Sequence, residues 1–291
     1  MDHKKSGFVA IIGKPNSGKS TLINQLAKNK IAIATPKKNT TRNQIDFIYN
    51  DEESQIIFSD TPGFLKVNNI LDEKMVEIIR RSIKNVDIAL FIIKVYDNID
   101  DEYLKKIELV GSNIKKFLLI NKIDLLENKA ELLDKINNFQ NTKLFDEIIP
   151  ISALKNINID TLLKVIKSNL KEDVQYYPED QSVNYSDEFY ISEIIREKIL
   201  FNFDDEIPHE VFIKITDLVK DSKILKIRAE IIVSRESIKG MIIGKDGQAI
   251  RKIGTQARGE LERKFGKKIF LELFVKIRKN WKNKESIIKD I

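Results

Sequence analysis

The chain has 291 residues, enough for two domains, and its content of 42% hydrophobic and 32% charged residues describes a soluble globular protein. It contains no cysteine and only two histidines, so disulfides, thiol catalysis, cysteine-ligated metals and a histidine metal site are excluded. The net charge of +6 suggests a polyanionic partner. Apolar runs such as Ile88–Ile93 are too short to span a bilayer. Because Lys4 and Lys5 lead directly into a strand without room for a signal peptide, we expect a cytoplasmic location, and peripheral contact with the cytoplasmic face of the membrane stays open.

The first motif in the chain is a glycine loop between a predicted strand, Phe8–Ile12, and a predicted helix start, Thr21–Leu26. It reads GxxxxGKS, in which the glycines let backbone N–H groups surround phosphates at the positive end of the new helix. Lys19 can reach the β- and γ-phosphate oxygens, and the Ser20 hydroxyl can ligate Mg²⁺. The nucleotide-binding residues predicted here are Gly13, Lys14, Pro15, Asn16, Ser17, Gly18, Lys19, Ser20 and Thr21.

A second motif, DxxG, follows the short apolar strand predicted at Gln55–Ser59. Asp60 would hold the magnesium ion through a water molecule, and the Gly63 amide would sense the γ-phosphate. Thr61 and Pro62 lie between them and are predicted to line the nucleotide site. The motif has little value alone, and its position at the end of a strand is what makes it informative.

The polar segment Asn39–Asn43 stands where a switch loop would cover the nucleotide. One of its threonines would give magnesium a second hydroxyl ligand, and Thr41 is favoured over Thr40. Phe64 occupies the place where many small GTPases have the glutamine that orients the attacking water, so intrinsic hydrolysis should be slow or should rely on another element, such as a K⁺ ion near Asn16. The residues predicted to act in catalysis are Lys19, Thr41 and Gly63, and those predicted to hold metal are Ser20, Thr41 and Asp60.

Two further strand ends carry guanine-recognition motifs. An apolar strand is predicted at 86–95. A second apolar run, 116–120, leads into the NKxD motif at Asn121–Asp124, and an SAL turn stands at Ser152–Leu154. The Asp124 carboxylate has only acceptors, which match the N1–H and N2 amine donors of guanine and leave adenine unpaired. The base-binding residues predicted are Asn121, Lys122, Asp124, Ser152, Ala153 and Leu154. Four motifs in this order, each after a strand, predict an α/β GTPase domain over residues 1–170, with a mostly parallel sheet between helices, that binds GTP and GDP.

The hydrophobic periodicity stops at residues 171–186, a polar and proline-bearing stretch that we interpret as an interdomain linker. The second domain, 187–291, begins with a helix, and two alternating strands follow at 211–219 and 225–233. A helix at 248–265 and a strand at 268–277 complete an α-β-β-α-α-β order. This order predicts a small α+β domain, and together with a GxxG loop between two of its helices it is the signature of a KH domain of the second type.

A GxxG loop lies between the two helices of this second domain. Its glycines allow close approach to a single-stranded backbone, and KH loops clamp about four nucleotides. The predicted RNA-binding residues are Gly244, Lys245, Asp246, Gly247, Arg251 and Lys252. The basic C-terminal tail is expected to extend this surface, and Trp281 is either a base-stacking residue or part of the core.

The combination of both domains resembles the Era family of bacterial GTPases over nearly the whole chain. The segments that carry the resemblance are Gly7–Gly13, Thr40–Arg42, Asp60–Gly63, Glu193–Lys198, Pro208–His209 and Lys239–Gly247. The resemblance implies a GTP hydrolase that binds the 3′ end of 16S rRNA through its KH domain, preferentially with GTP, and acts in assembly of the 30S subunit. It also implies loose association with the inner membrane. Asn156 departs from the family pattern, which has glycine there, although asparagine tolerates a left-handed backbone.

The sequence analysis leaves two alternatives. One is a membrane-associated signalling or cell-cycle GTPase whose basic half binds anionic lipid. The other is a binding module in which the nucleotide only stabilises the fold. The cofactors expected are GTP or GDP and Mg²⁺, with K⁺ as a further candidate, and the protein is expected to be a monomer.

Overall fold

The structure is a computed structural model that describes residues 4–33, 35, 42, 44–62, 67–108, 110–204 and 207–288. The chain divides into two compact units, of which the first ends at Asn184 and the second begins at Tyr185. The short segment Asn69–Leu71 groups with the second unit. The boundary between the units therefore lies inside the stretch 171–186 that the sequence predicts as a linker.

The first unit is built on one sheet with helices between its strands. Its strands are β1 (Lys5–Gly13), β2 (Ile45–Asn50), β3 (Ser54–Asp60), β4 (Ile88–Lys94), β5 (Lys115–Asn121), β6 (Glu147–Pro150) and β7 (Lys171–Glu172). Its helices are α1 (Lys19–Ala27), α2 (Ile70–Lys84), α3 (Asp101–Glu108), α4 (Lys129–Thr142) and α5 (Ile159–Asn169). The strand order is β2-β3-β1-β4-β5-β6, with β2 antiparallel to β3 and the others parallel. The two-residue strand β7 pairs with the start of β1.

The central strands are apolar because both faces of the sheet are covered. Ile11, Ile57 and Leu90, on three neighbouring strands, are fully buried. Phe91 on β4 packs edge to face against Tyr103 of α3, with ring centroids 6.1 Å apart. In such a sheet the carboxyl ends of the parallel strands meet at one edge, and ligands bind there. The fold therefore places the ends of β1, β3, β5 and β6 together.

The second unit has the predicted α-β-β-α-α-β order, so the predicted fold class is confirmed for both units. Its elements are α6 (Asp187–Asn202), β8 (Val211–Lys220), β9 (Ile224–Val233), α7 (Glu236–Ile243), α8 (Gln248–Phe265), β10 (Lys268–Ile277) and α9 (Glu285–Ile288). The sheet order is β10-β9-β8, with β10 parallel and β8 antiparallel to β9. Alternate residues of β9, such as Leu225 and Ile227, are buried beneath the helices, while Lys226 and Arg228 are exposed.

A cluster of buried charges joins α6 to α8. Lys198 donates to Glu197 at 2.7 Å and also to Glu260. The side chain of Glu197 is 2% exposed and that of Glu260 is 11% exposed. On the same helix, Arg196 makes a two-pronged ion pair with Glu193, at 2.7 and 2.6 Å. Within the Glu193–Lys198 motif, Lys198 therefore supplies an ion pair between α6 and α8.

Trp281 belongs to the core and is not a base-stacking residue. Its side chain is 0% exposed, and its ring stacks on Phe212 with centroids 5.8 Å apart. The indole N–H donates to the carbonyl of Glu210 at 3.1 Å. Burial of so large a ring leaves no face for a nucleotide base.

No helix among the described residues is long and apolar enough to cross a membrane.

Candidate nucleotide site and RNA-binding loop

The phosphate loop follows β1 directly and turns through left-handed backbone conformations. Asn16 has φ of 62° and Gly18, which immediately precedes α1, has φ of 105°. A Cβ on Gly18 would lie 2.2 Å from Asn121 Nδ2, and one on Gly13 would lie 2.6 Å from the carbonyl oxygen of Ile92. Close packing therefore requires glycine at both Gly13 and Gly18. At Gly18 the left-handed backbone conformation is a second reason.

Lys19 lies inside the loop. Its side chain is buried, and its Nζ donates to the carbonyls of Gly13 at 3.1 Å and Lys14 at 3.2 Å. Burial lowers the pKa of Lys19 from its usual value, and the charge of Asp60 partly opposes this shift. An anion in the loop would favour the charged form of this lysine, because opposite charge stabilises the protonated state.

The start of α1 is rich in hydrogen-bond donors. Gly18 has no side chain to cap the helix, and the first turn contains no acidic residue. The Ser17 hydroxyl is buried and has no hydrogen-bond partner among the described residues. Such unsatisfied donors at a helix N-terminus make a ready anion site. The phosphate loop and the start of α1 therefore fit the phosphates of a nucleotide.

Two of the three predicted metal ligands lie within hydrogen-bond distance of each other. Ser20 Oγ donates to Asp60 Oδ2 at 3.0 Å, and Asp60 is fully buried at the end of β3. Thr61 next to it donates from Oγ1 to the carbonyl of Ile11 at 2.7 Å, which joins the DxxG segment to β1. A hydroxyl and a carboxylate are oxygen donors of the kind that Mg²⁺ prefers, so the pair fits this ion. The predicted residues Thr41 and Gly63, and the neighbouring Phe64, lie outside the described residues.

Asn121 connects the base-binding segment to the phosphate loop. Its Nδ2 donates to the carbonyl of Ser17 at 2.8 Å, and its Oδ1 accepts from the amide of Ala153 at 3.0 Å. The residue is 2% exposed. One amide therefore fixes three of the predicted motifs relative to one another.

The remaining base-site residues gather around Asp124. Its Oδ1 accepts a 2.5 Å hydrogen bond from Ser152 Oγ, which leaves the other carboxylate oxygen for a base. Lys122 has φ of 68°, an uncommon conformation for lysine. Leu154 is 71% exposed, so its side chain adds nothing to the packing of the turn. Asn156 has φ of 57°, which explains why asparagine can replace glycine there.

The sequence analysis did not identify Asp100 as part of this site. Lys14 Nζ forms an ion pair with Asp100 Oδ2 at 2.6 Å and lies 5.8 Å from the ring centroid of Tyr103. Asp100 Oδ1 also accepts from the amide of Tyr103 at 2.9 Å. The Lys14 side chain is therefore paired with Asp100 in this structure. No sequence motif marks Asp100, because a single acid before a helix is a common pattern.

The GxxG loop joins α7 to α8 in a tight turn. Gly244, with φ of 71°, and Gly247, with φ of 75°, flank Asp246, with φ of 50°. A Cβ on Gly244 would lie 2.7 Å from the Cβ of Ala249, so this glycine is also required sterically. Lys245 and Asp246 are exposed between the glycines. Arg251 and Lys252 are exposed on the next turn of α8.

Three lysines of the basic C-terminal part of the second unit have partners within that unit. Lys276 and Lys282 form ion pairs with Glu230 and Glu210. Lys267 donates to the carbonyl of Asp221 at 3.1 Å, beyond the end of α8 opposite to the GxxG loop. Arg278 and Lys279, just after β10, are exposed, and the extension of the RNA surface along the tail stays a prediction.

Together, these features define a phosphate-loop GTPase joined to a KH domain. A family model described as a 50S ribosome-binding GTPase matches residues 8–122, and a KH-domain model matches residues 206–282. Two solved structures resemble the whole chain. The first is a single-residue variant of Era from Aquifex aeolicus bound to GDP and AlF4⁻, with 36% identity, a TM-score of 0.94 and 98% of each chain covered.

The second structure is Era in complex with MgGDPNP and nucleotides 1506–1542 of 16S ribosomal RNA. It shares 36% identity with this chain, with a TM-score of 0.95, and covers 99% of this chain and 98% of its own. The chain therefore belongs to the Era family of GTPases.

Proposed function

We propose that this GTPase binds the 3′ end of 16S rRNA through its KH unit and acts in assembly of the small ribosomal subunit. The observation that carries the proposal is the GxxG loop, whose glycines flank an exposed lysine, Lys245, just before α8. The related Era bound to nucleotides 1506–1542 of 16S rRNA supports this assignment. The family of 50S ribosome-binding GTPases matches only the GTPase unit, whereas the Era bound to 16S rRNA matches both units.

We also propose that the first unit binds Mg²⁺ together with the guanine nucleotide. Ser20 and Asp60 would hold Mg²⁺, with Thr41 as the further ligand proposed from the sequence. The bound ion would neutralise charge on the β- and γ-phosphate oxygens. Around it, Lys19 would contact the phosphates, and Asp124 would accept from the guanine edge.

We further propose that hydrolysis proceeds without a side chain that polarises water at position 64, because Phe64 cannot do so. The backbone amide of Gly63 would sense the γ-phosphate, and Asn16 would help to hold a K⁺ ion. GTP turnover measured in K⁺ and in Na⁺ at equal ionic strength tests this point. Equal rates in the two salts would exclude the potassium part of the proposal.

The proposed partners are 16S rRNA and the 30S subunit, with the protein acting as a monomer in the cytoplasm. Peripheral contact with the inner membrane is a separate hypothesis taken from the family resemblance. It predicts binding to vesicles that contain anionic lipid. A purely lipid-directed GTPase is the alternative function that the experiment below separates from RNA binding.

The test compares two charge reversals on the second unit. Lys245→Asp places a negative charge between the loop glycines, and Lys223→Asp is the matched control. Lys223 is exposed at the β8–β9 turn, next to the pairing of Ile224 with Lys268. It therefore lies beyond the far end of α8, an 18-residue helix about 27 Å long.

Binding to a fragment with the sequence of the 3′ end of 16S rRNA is measured for both variants, with anionic vesicles as a second ligand. We expect Lys245→Asp to weaken RNA binding at least about tenfold and Lys223→Asp to have a much smaller effect, because phosphate contacts are local. Equal losses in both variants would mean a generic basic surface. Tight vesicle binding with no RNA preference would favour the membrane alternative.

A further inference from the structure

Residues 173–184, here called the strap, do not form a free linker. The C-terminal part of the strap runs antiparallel along β2, the edge strand of the first sheet. The Ile48 amide donates to the carbonyl of Ser182 at 3.0 Å, and the Asn184 amide donates to the carbonyl of Asp46 at 3.1 Å. An otherwise open sheet edge is thereby paired, as edge strands usually need to be. The strap therefore belongs to the first unit as an added strand-like segment.

A buried amide fixes the start of the strap. Gln55 is 0% exposed, and its Nε2 donates to Asn50 Oδ1 at 2.9 Å and to the carbonyl of Tyr177 at 2.8 Å. Its Oε1 accepts from the amides of Tyr176 at 2.7 Å and Tyr177 at 3.0 Å. All four hydrogen-bonding positions of the amide are used. The strap is therefore held in one register against β2 and β3.

Asp46 joins the strap to the nucleotide site. It lies directly opposite Ser59 on β3, and its Oδ1 accepts from Ser59 Oγ at 2.6 Å and Gln44 Nε2 at 2.8 Å. Ser59 immediately precedes Asp60, whose carboxylate accepts from Ser20. The carbonyl of the same Asp46 accepts from Asn184, the last residue of the first unit. A single residue thus contacts both the strand that carries a predicted magnesium ligand and the point where the chain leaves the GTPase unit.

We propose that Asp46 is a positioning residue that transmits the nucleotide state to the strap, and through the strap to the start of the KH unit at Tyr185. Exchange of GTP for GDP would change the ligands near Asp60, and the Ser59–Asp46 hydrogen bond would carry that change to the contact between Asp46 and Asn184. The inference rests on the proposed function, because nucleotide-dependent RNA binding is what the strap would transmit. Two experiments measure this coupling directly.

The first readout needs no RNA. Hydrogen exchange of the Ile48 amide is measured in the full chain, with GDP and with a non-hydrolysable GTP analogue. We expect the protection of this amide to differ between the two nucleotides, and the difference to shrink in Ser59→Ala, which lacks the hydroxyl donor to Asp46. Equal protection in both nucleotide states would overturn the proposal, whatever the RNA measurements show.

The second readout is the ratio of the RNA dissociation constants with GDP and with the analogue. Asn184→Pro removes the amide that donates to Asp46, whereas the matched control Asn184→Ala keeps it. We expect the ratio to fall toward unity in Asn184→Pro and to stay at the wild-type value in Asn184→Ala, with nucleotide affinity unchanged in both. A wild-type ratio in Asn184→Pro would overturn the strap proposal. Absence of RNA binding in the wild type would instead refute the proposed function.

Discussion

The side-chain amide of Asn121 donates to the backbone carbonyl of Ser17 at 2.8 Å and so ties the base-recognition segment to the phosphate loop. The two residues are 104 positions apart in the chain. A loop with two left-handed residues, Asn16 and Gly18, needs such support, because its backbone conformation is costly to maintain. Nucleotide affinity should therefore depend on a residue that fixes the loop as well as on residues that touch the ligand.

Asn121→Asp tests this relationship. The aspartate keeps an acceptor for the Ala153 amide and replaces the donor to Ser17 with a second oxygen. We expect GDP and GTP to lose about 2 kcal/mol of binding free energy, roughly thirtyfold, because a buried carbonyl is left unpaired. The preference for guanine over adenine should be retained. Titration calorimetry with both bases checks this, and an unchanged affinity would contradict the structural role of Asn121.

Asp124→Asn should change the base that is recognised. The free oxygen of Asp124 is placed to accept from guanine, since Ser152 occupies the other. With an amide in its place, guanine meets a donor where it needs an acceptor, and xanthine nucleotides should gain relative to guanine nucleotides. Competition between GDP and XDP measures the change. Unaltered selectivity would mean that the base is read elsewhere.

Lys19→Ala should abolish nucleotide binding, because it removes the buried ammonium that lies against the Gly13 and Lys14 carbonyls. Lys14→Ala is a suitable control, since the Lys14 side chain is directed to Asp100. We expect the control to bind GDP nearly as well as the wild type. Fluorescent GDP binding compares the two variants, and wild-type affinity in Lys19→Ala would refute the site.

Lys198→Met should destabilise the second unit by about 3–5 kcal/mol, because it removes the ammonium group that donates to two buried carboxylates, Glu197 and Glu260. The loss should become smaller in acid, where these carboxylates can take up protons. Lys220→Met is the control, because its ion pair with Asp187 is exposed and should matter little. Denaturant unfolding of the three proteins measures the difference. Equal stability of Lys198→Met and Lys220→Met would contradict the account.

The same cluster predicts a pH dependence. Burial by itself would lower the pKa of Lys198, but its hydrogen bonds to Glu197 and Glu260 raise the pKa above the ordinary lysine value of 10.5. The stabilisation is therefore fully present below that value and is lost as pH rises through the folded-state pKa. Unfolding free energy measured up to pH 11 should fall more steeply in the wild type than in Lys198→Met. Parallel curves for the two proteins would contradict this prediction.

The sequence was sufficient for the elements whose apolar periodicity is strong. The helix at 248–265 and the strand at 268–277 have the predicted bounds, and the motif residues lie at the strand ends where the pattern put them. The strand β2 and the strap were not foreseen. The strap is held by Gln55 and Asn50, more than a hundred residues away in the chain, and such long-range pairing leaves no periodic signal in a polar segment. Trp281 shows the same limit, because only the tertiary structure reveals that its ring is covered.

The most direct test of the central claim is the nucleotide dependence of RNA binding by the wild-type protein. A labelled fragment spanning the 3′ end of 16S rRNA is titrated with a non-hydrolysable GTP analogue, with GDP and without nucleotide, each at two salt concentrations. We predict tight and sequence-selective binding with the analogue and weaker binding in the other two conditions. RNA affinity that is independent of nucleotide and of RNA sequence, and that falls steeply as the salt concentration rises, would contradict the claim that GTP controls RNA binding.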